Sequence, residues 1–375
     1  MKIKAAVIRQ MGLPQPYAKW QPLAIEEIEL DRPGEREVLV QVKAAGLCHS
    51  DLSTINADRP RQMPMVLGHE AAGVVLECGP GIKDLAAGDH VVMVFAPSCG
   101  ECIACKEGHP GRCEPGQKAN GAGTLLNGAI RLHKGQEKVY HHVGVSAFAE
   151  YCVVNRGSLV KIDSALPFDE AALFGCAVLT GVGAALNTAQ VFPGARTAVV
   201  GLGGVGLNAL LGAQVAGASQ VIAIDIHDDK LELAKQLGAT DVVNAKDADA
   251  IQKVKDLTGG GVDFGFEMAG SVQAMELAYR ITRRGGTTVT AGLPHPDARW
   301  ALQHVNLTAE ERTIKGSYVG SCVPPRDLPR YVELYRKGKL PVNKLMSDHI
   351  KLEQINEGFD QLASGHTVRQ IVGLS

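Results

Sequence analysis

Residues 197–214 read TAVVGLGGVGLNALLGAQ: a β-branched run, a glycine-rich turn, then a run that reads as an amphipathic helix. Gly201, Gly203 and Gly206 spell GxGxxG. The chain has 43 glycines in 375 residues, well above a usual share of about 7%, so the string alone decides little. Its surroundings decide more. A strand precedes it, a helix follows, and VIAID ends at Asp225, 19 residues after Gly206. In such a unit the first glycine permits a tight turn and the second lets backbone N–H groups approach a pyrophosphate. Gly204 and Val205 open the helix, and the third glycine lets helix pack on strand. Asp225 would accept hydrogen bonds from an adenosine ribose and repel a 2′-phosphate; Ile226 and His227 follow it, and no arginine does. The stretch therefore reads as a site for NAD in preference to NADP.

Working outward, strand and helix alternate from Ala195 to about Gly320, which predicts an α/β fold with a doubly wound parallel sheet. Upstream, to about residue 177, short apolar runs cut by Gly and Pro (AAVIR, LAIEEIEL, EVLVQVKAAG, GVVLECG, HVVMVF, AEYCVV) predict a β-rich domain. Downstream, helical stretches at 327–337 and 352–363 lead to HTVRQIVGL, a strand-like tail expected to return to the first domain. Residues 114–142, rich in Gly, Lys, Asn and His, read as a functional or interface loop.

Charge nearly cancels, with 38 Lys and Arg against 40 Asp and Glu, so no net positive field draws nucleic acid. The opening MKIKAAVIRQ alternates like a strand and lacks a signal-peptide core. The apolar stretches 198–200 and 207–218 break well short of the roughly 18 residues a membrane span needs. A cytoplasmic protein without a membrane partner is expected. Nine cysteines, crowded between residues 99 and 113, suit thiols and metal ligands in a reducing compartment better than a disulfide framework.

Cys99, Cys102, Cys105 and Cys113 are spaced C-x2-C-x2-C-x7-C. Four thiolates suit a closed tetrahedral zinc with a structural role. Glu101, Glu107 and Glu114 interleave with Lys106 and Arg112, leaving no basic face for a nucleic-acid backbone. A second set is dispersed: Cys48, His69 with Glu70, and Cys176. Each alone is more often core packing. Together, two thiolates and one imidazole leave a fourth zinc position open for a substrate. Asp51 is near enough in sequence to hold the free ring nitrogen of His69.

With GLCHSD around Cys48, GHEAAGVVLECG from Gly68, the four-cysteine lobe, GCAVLTG around Cys176, and GLGGVG followed by Asp225, the whole chain resembles the zinc-dependent medium-chain alcohol dehydrogenases. The resemblance implies a GroES-like catalytic domain of residues 1–177 and 321–375, with a Rossmann domain at 178–320. It implies two zinc ions per chain: a catalytic one on Cys48, His69 and Cys176 with Glu70 beside it, and a structural one on the four cysteines. Thr180, Asp225, Lys230, Leu293 and Arg369 match cofactor-contacting positions, and Arg369 is expected to reach the pyrophosphate. His49 stands where relatives aim Arg or His at the cofactor phosphates. Ser50 is expected to receive the alcohol proton. Ser53 replaces the histidine that continues the proton relay in many relatives, and serine is no base at neutral pH. Phe95, His142, Val143 and Leu293 are expected to line the substrate pocket with Ser50, and Arg59 its mouth.

The expected reaction is NAD-linked interconversion of a primary aryl, allylic or medium-chain aliphatic alcohol and its aldehyde, by a homodimer paired through Rossmann edge strands. The enzymatic alternative is a glutathione-dependent formaldehyde dehydrogenase acting on S-hydroxymethylglutathione. From another class, a crystallin-like or binding protein on the same scaffold is the rival, disfavoured because every expected ligand is present.

Overall fold

The alternating strands read in the first part of the chain form two β-systems. In the computed structural model, which describes residues 1–365 and 367–374, a closed barrel runs through Lys2–Ile8, Leu23–Leu30, Leu132–Lys134, Glu137–His141 and Met65–Val66. A second sheet carries Leu159–Ile162, His90–Met93, Glu70–Cys78, Glu37–Gly46, Arg369–Gly373 and Met346–Lys351 in that order, with Tyr151–Asn155 also paired to Glu37–Gly46. Apolar residues from these strands share a core with Phe148 and Phe359, whose rings meet edge to face at 6.0 Å. The tail folds as the expected strand, Arg369–Gly373, antiparallel to residues 44–46; His366, at the start of that stretch, lies outside the described residues.

The first compact unit comprises Met1–Cys176, Val323–Val332 and Met346–Ser375. The second comprises Ala177–Cys322 and Glu333–Leu345. Residues 333–345 thus depart from the expected return to the first domain: Leu340, Val342 and Leu345 are buried, and Val342–Leu345 packs against the helix Gly204–Val215 of the second unit. The second unit is a six-stranded parallel sheet ordered Asp241–Asn244, Gln220–Asp225, Arg196–Val200, Val262–Glu267, Thr282–Thr290, Thr313–Gly316. That is the doubly wound order, with the switch point at the Arg196–Val200 strand that feeds the glycine turn.

The helix after that turn, Gly204–Val215, was expected to be amphipathic but is buried on nearly every side. Glycine explains it. A Cβ at Gly212 would lie 2.9 Å from Val182 Cα and one at Gly181 2.3 Å from Val205 O, so the two helices pack backbone to backbone. Residues Phe168–Ala189 form a helical stretch long and apolar enough to cross a membrane by length and composition, which the sequence reading passed over. It is 89% buried within the protein, as a core helix is.

The 114–142 segment is more ordered than expected. It holds the helix Glu114–Ala122 and the hairpin Leu132–Lys134 and Glu137–His141. Fully buried Glu37 ties it down, accepting hydrogen bonds from Gly34 N at 2.6 Å, Asn127 Nδ2 at 2.7 Å and Arg131 Nε at 2.7 Å. At Gly34 a Cβ would sit 2.2 Å from Arg131 Nη2, so glycine makes room for the guanidinium. Buried His141 completes the clasp, its Nε2 accepting the Arg131 backbone N–H at 3.0 Å.

That bond requires a neutral ring. Burial pushes the His141 imidazole down to about 4, against the pull of Glu37 and with the help of Arg131. An unfolded chain binds this proton below about pH 6.5 and the folded one does not, so stability present above pH 6.5 falls as pH drops toward 4. The loss is on the order of 3 kcal/mol. Urea denaturation of His141→Asn should show a flatter acid limb than the parent over that window; parallel limbs contradict the assignment.

Candidate metal centres and dinucleotide site

Three segments of the first unit bring the dispersed donors together. Cys48 follows the strand Glu37–Gly46 and caps the helix His49–Ile55; His69 precedes the strand Glu70–Cys78; Cys176 lies in a π-helical turn, Phe174–Val178. Their ligand atoms all lie within 4.8 Å of one another, and all three residues are buried. Three glycines make the approach possible. Gly68 has φ +90°, and a Cβ there would meet Phe148 N at 2.6 Å, so only glycine turns the chain into His69. Gly46 pairs across the sheet with Glu70, whose Oε1 would be 2.8 Å from a Cβ on Gly46. Gly175 lets the Met93 carbonyl come within 2.3 Å of where a Cβ would stand.

Asp51 fixes the imidazole. Its fully buried Oδ1 accepts the Gly68 N–H at 3.0 Å and lies 3.1 Å from His69 Nδ1. That contact assigns the proton to Nδ1 and leaves Nε2 as the donor for a metal. Burial alone would raise the Asp51 carboxyl, but His69 and His142 outweigh it and hold it well below the usual range. For His69 burial opposes the charged ring, yet Asp51 and Cys48 raise it.

The thiols differ in state. Hydrogen bonding between them pulls Cys48 well below its ordinary value and drives Cys176 well above, with burial adding to the rise. The protein groups alone therefore favour one thiolate shared between two sulfurs. A divalent cation lets both ionise, so the donor set fits zinc: two soft sulfurs, one imidazole and one open position. Glu70 lies beside this cluster, its carboxyl pushed up to about 7 by burial against the pull of Arg369.

The second cluster, Cys99, Cys102, Cys105 and Cys113, also gathers its sulfurs within 4.8 Å. Backbone N–H groups of Cys99 and Gly116 point to Cys113 Sγ at 3.3 and 3.4 Å, and those of Glu101 and Cys102 to Cys99 Sγ at 3.4 and 3.3 Å. Amides turned toward sulfur favour thiolates. Four such donors with no fifth group in the set fit a closed zinc.

Around the first cluster, Ser50 Oγ lies 3.8 Å from Cys48 Sγ, and the half-buried Phe95 ring stands edge to face on His69 at 5.4 Å. Half-buried Val143 has φ +43°, an unusual conformation for a β-branched residue. His142 is buried beside His69, with Nδ1 3.2 Å from Asp51 Oδ1 and its ring edge-on to His69 at 5.6 Å. Nothing in the sequence signals that contact. Arg369 is 3% exposed, donates to Leu47 O at 3.0 Å and lies 3.4 Å from Glu70 Oε1. Its guanidinium neutralises Glu70 and does not project to solvent. His49 is exposed and Arg59 half-buried.

In the second unit, Gly201 takes φ +94° and a Cβ there would meet Ala269 N at 2.7 Å. At Gly206 a Cβ would strike Gly201 O at 1.8 Å, whereas one at Gly203 would meet nothing within 4 Å. So two glycines close the turn and one opens it to a ligand. Gly204 and Val205 begin the helix. Asp225 Oδ2 accepts the Leu202 N–H at 2.7 Å, and Oδ1 accepts those of Ile226 and His227 at 2.8 and 3.0 Å. Asp225 thereby braces the turn as well as facing a cavity of about 450 Å³ lined by Gly201, Ile224, Ile226, Ala269 and Ser271 among others. Thr180 is buried in the helix Leu179–Gly183, Lys230 half-buried in Asp228–Gln236, and Leu293 53% exposed.

Comparison with known proteins agrees with both halves. The alcohol dehydrogenase GroES-like domain family matches residues 34–164, and the zinc-binding dehydrogenase family residues 204–337. An alcohol dehydrogenase class-3 of Drosophila melanogaster is 42% identical over 358 residues, 94% of each chain. Alcohol dehydrogenase 1 of Cenchrus americanus is 37% identical, covering 99% of this chain and 97% of that one. The benzyl alcohol dehydrogenase structure from Acinetobacter calcoaceticus superposes with a TM-score of 0.93 at 33% identity, covering both chains completely. With these relatives spanning its whole length, the chain belongs to the zinc-dependent medium-chain alcohol dehydrogenases.

Proposed function

We propose that the protein uses NAD and zinc to interconvert a primary alcohol, aryl, allylic or medium-chain aliphatic, with its aldehyde. The observation that carries this reading is the buried triangle of Cys48, His69 and Cys176, braced by Asp51, with the Ser50 hydroxyl next to Cys48. Those three residues would hold a catalytic zinc, and Cys99, Cys102, Cys105 and Cys113 a structural one. When bound, zinc polarises the alcohol oxygen and lowers its pKa, and NAD takes up the hydride. An aromatic wall at Phe95 suits an aryl or allylic group, in keeping with the benzyl alcohol specificity in the name of one structural relative. NAD is favoured over NADP by the Asp225 carboxylate in the second-unit cavity. Nine unbridged thiols suit a cytoplasmic setting, and the edge strand Thr313–Gly316 suits pairing into a homodimer.

The proton route is this chain's own. Ser50 accepts the alcohol proton and passes its own on. Ser53, next along the helix, donates its hydroxyl to Ser50 O at 2.8 Å, so it offers no base. Water takes the proton directly. A second reading, oxidation of S-hydroxymethylglutathione, draws on the half-buried cations Arg59 and Arg61 just past the helix His49–Ile55.

NADH absorbance with a panel of alcohols and S-hydroxymethylglutathione, before and after chelation, tests the assignment. Aryl or aliphatic alcohols should be turned over and chelation should abolish the signal; activity only with the glutathione adduct favours the second reading, and none with any substrate removes both. Ser53→His should raise turnover at low pH, where hydroxide is scarce and water is a weak base. An unchanged pH profile counts against a missing relay. Asp51→Asn weakens the brace on His69 and should speed zinc release from one site by roughly 10- to 100-fold while the four-cysteine zinc stays put; a chelator-competition trace with two unaltered phases contradicts the brace.

A further inference from the structure

Glu267 is a buried carboxylate that the proposed chemistry leaves without a task. It ends the strand Val262–Glu267 and is 2% exposed. Among the described residues no cation pairs with it; its carboxylate's partners are neutral donors from the loop after its own strand and from Thr290, the last residue before the loop that follows the neighbouring strand. Oε1 accepts the backbone N–H groups of Ala269 at 2.8 Å and Gly270 at 2.6 Å, while Oε2 accepts the Thr290 hydroxyl at 2.7 Å. A carboxylate buried without a counter-ion is costly unless donors satisfy its oxygens, and three do so here.

What it holds is the seam between those loops. A Cβ on Gly292 would lie 2.3 Å from Gly270 N and 2.5 Å from Glu267 Oε2, and one on Gly270 3.0 Å from Leu293 N. Backbone therefore lies on backbone, with the carboxylate beneath. On one side Ala269 packs on the Gly201 turn and, with Ser271, lines the cavity that Asp225 faces. On the other side Thr290 ends the next strand outward and leads to Leu293. In a doubly wound sheet a dinucleotide lies across the carboxyl ends of the strands, one nucleotide on each side of the switch point.

We infer that Glu267 is a positioning residue for the cofactor: its carboxylate clamps the loop at Thr290–Leu293, on the nicotinamide side, to the loop at Ala269–Ser271, on the adenosine side, and its own carbonyl reinforces the first link by accepting the Ala291 and Gly292 N–H groups at 3.0 and 3.3 Å. The inference rests on the proposed dinucleotide reading. Of the side-chain links, the Thr290 hydroxyl serves the nicotinamide side alone and the Glu267 carboxylate serves both.

Calorimetric titration of the intact protein with NADH and, separately, with ADP tests the clamp. In Thr290→Val the NADH dissociation constant should rise roughly tenfold, the effect of losing one charge-assisted hydrogen bond, with ADP binding changed less than about twofold. Glu267→Ala should weaken both ligands. Glu267→Gln should restore both to within about twofold of the parent, since its amide oxygen still accepts the two N–H groups and its NH2 can donate to the Thr290 oxygen. Equal losses for NADH and ADP in Thr290→Val, no loss for either, or failure of Glu267→Gln to restore binding overturns the clamp. Parent protein that binds neither ligand overturns the dinucleotide reading itself, and the clamp with it.

Discussion

One oxygen atom, Oδ1 of Asp51, sits where the first unit's chemistry and its folding meet. It receives the Gly68 N–H and faces the His69 ring, so the same carboxylate sets the backbone turn that delivers the imidazole and the tautomer that the imidazole presents. A carboxylate this deeply buried would be strongly penalised on its own. Its contacts with the His69 and His142 rings offset that penalty. Around that contact three separate segments converge, and each arrives through a glycine where a side chain would collide: Gly46 against Glu70, Gly68 against Phe148, Gly175 against Met93. The excess of glycine in the composition is thus partly the steric cost of bringing two thiols and an imidazole to one point.

The same logic of crowding appears in the second unit with a different purpose. Gly201 and Gly206 are needed because backbone meets backbone, while Gly203 faces open space. Asp225 does two things at once: three backbone N–H groups bind its oxygens and keep the turn in shape, and its charge faces the cavity. Glu70 and Arg369, 3.4 Å apart, are another pair of charged groups held in the interior.

Much of this was legible in the sequence. The parallel sheet followed from alternation around residues 197–225, and the four-cysteine cluster from spacing alone, because both signals are local. Cys48, His69 and Cys176 are individually ordinary, and only a family resemblance joined them, since over a hundred positions separate the first from the last. What the sequence did not carry was contact between distant residues of unremarkable type. The His142 ring beside Asp51, the Arg369 guanidinium turned to Glu70, and the Glu37 clasp on residues 127–131 depend on tertiary packing. The short strands at 132–141 were hidden by glycine and lysine, and residues 333–345 by the absence of any boundary signal in a run that is helical on both sides of the division.

The proposed function requires two separate zinc sites in this chain, one closed and one open to substrate. Anomalous diffraction from crystals of the zinc-loaded protein, recorded on either side of the zinc absorption edge, measures this most directly. The account predicts two peaks per chain, one among Cys99, Cys102, Cys105 and Cys113 and one bounded by Cys48, His69 and Cys176 with room for a further ligand. A single peak at the four cysteines, or a second peak away from the His69 ring, would contradict it.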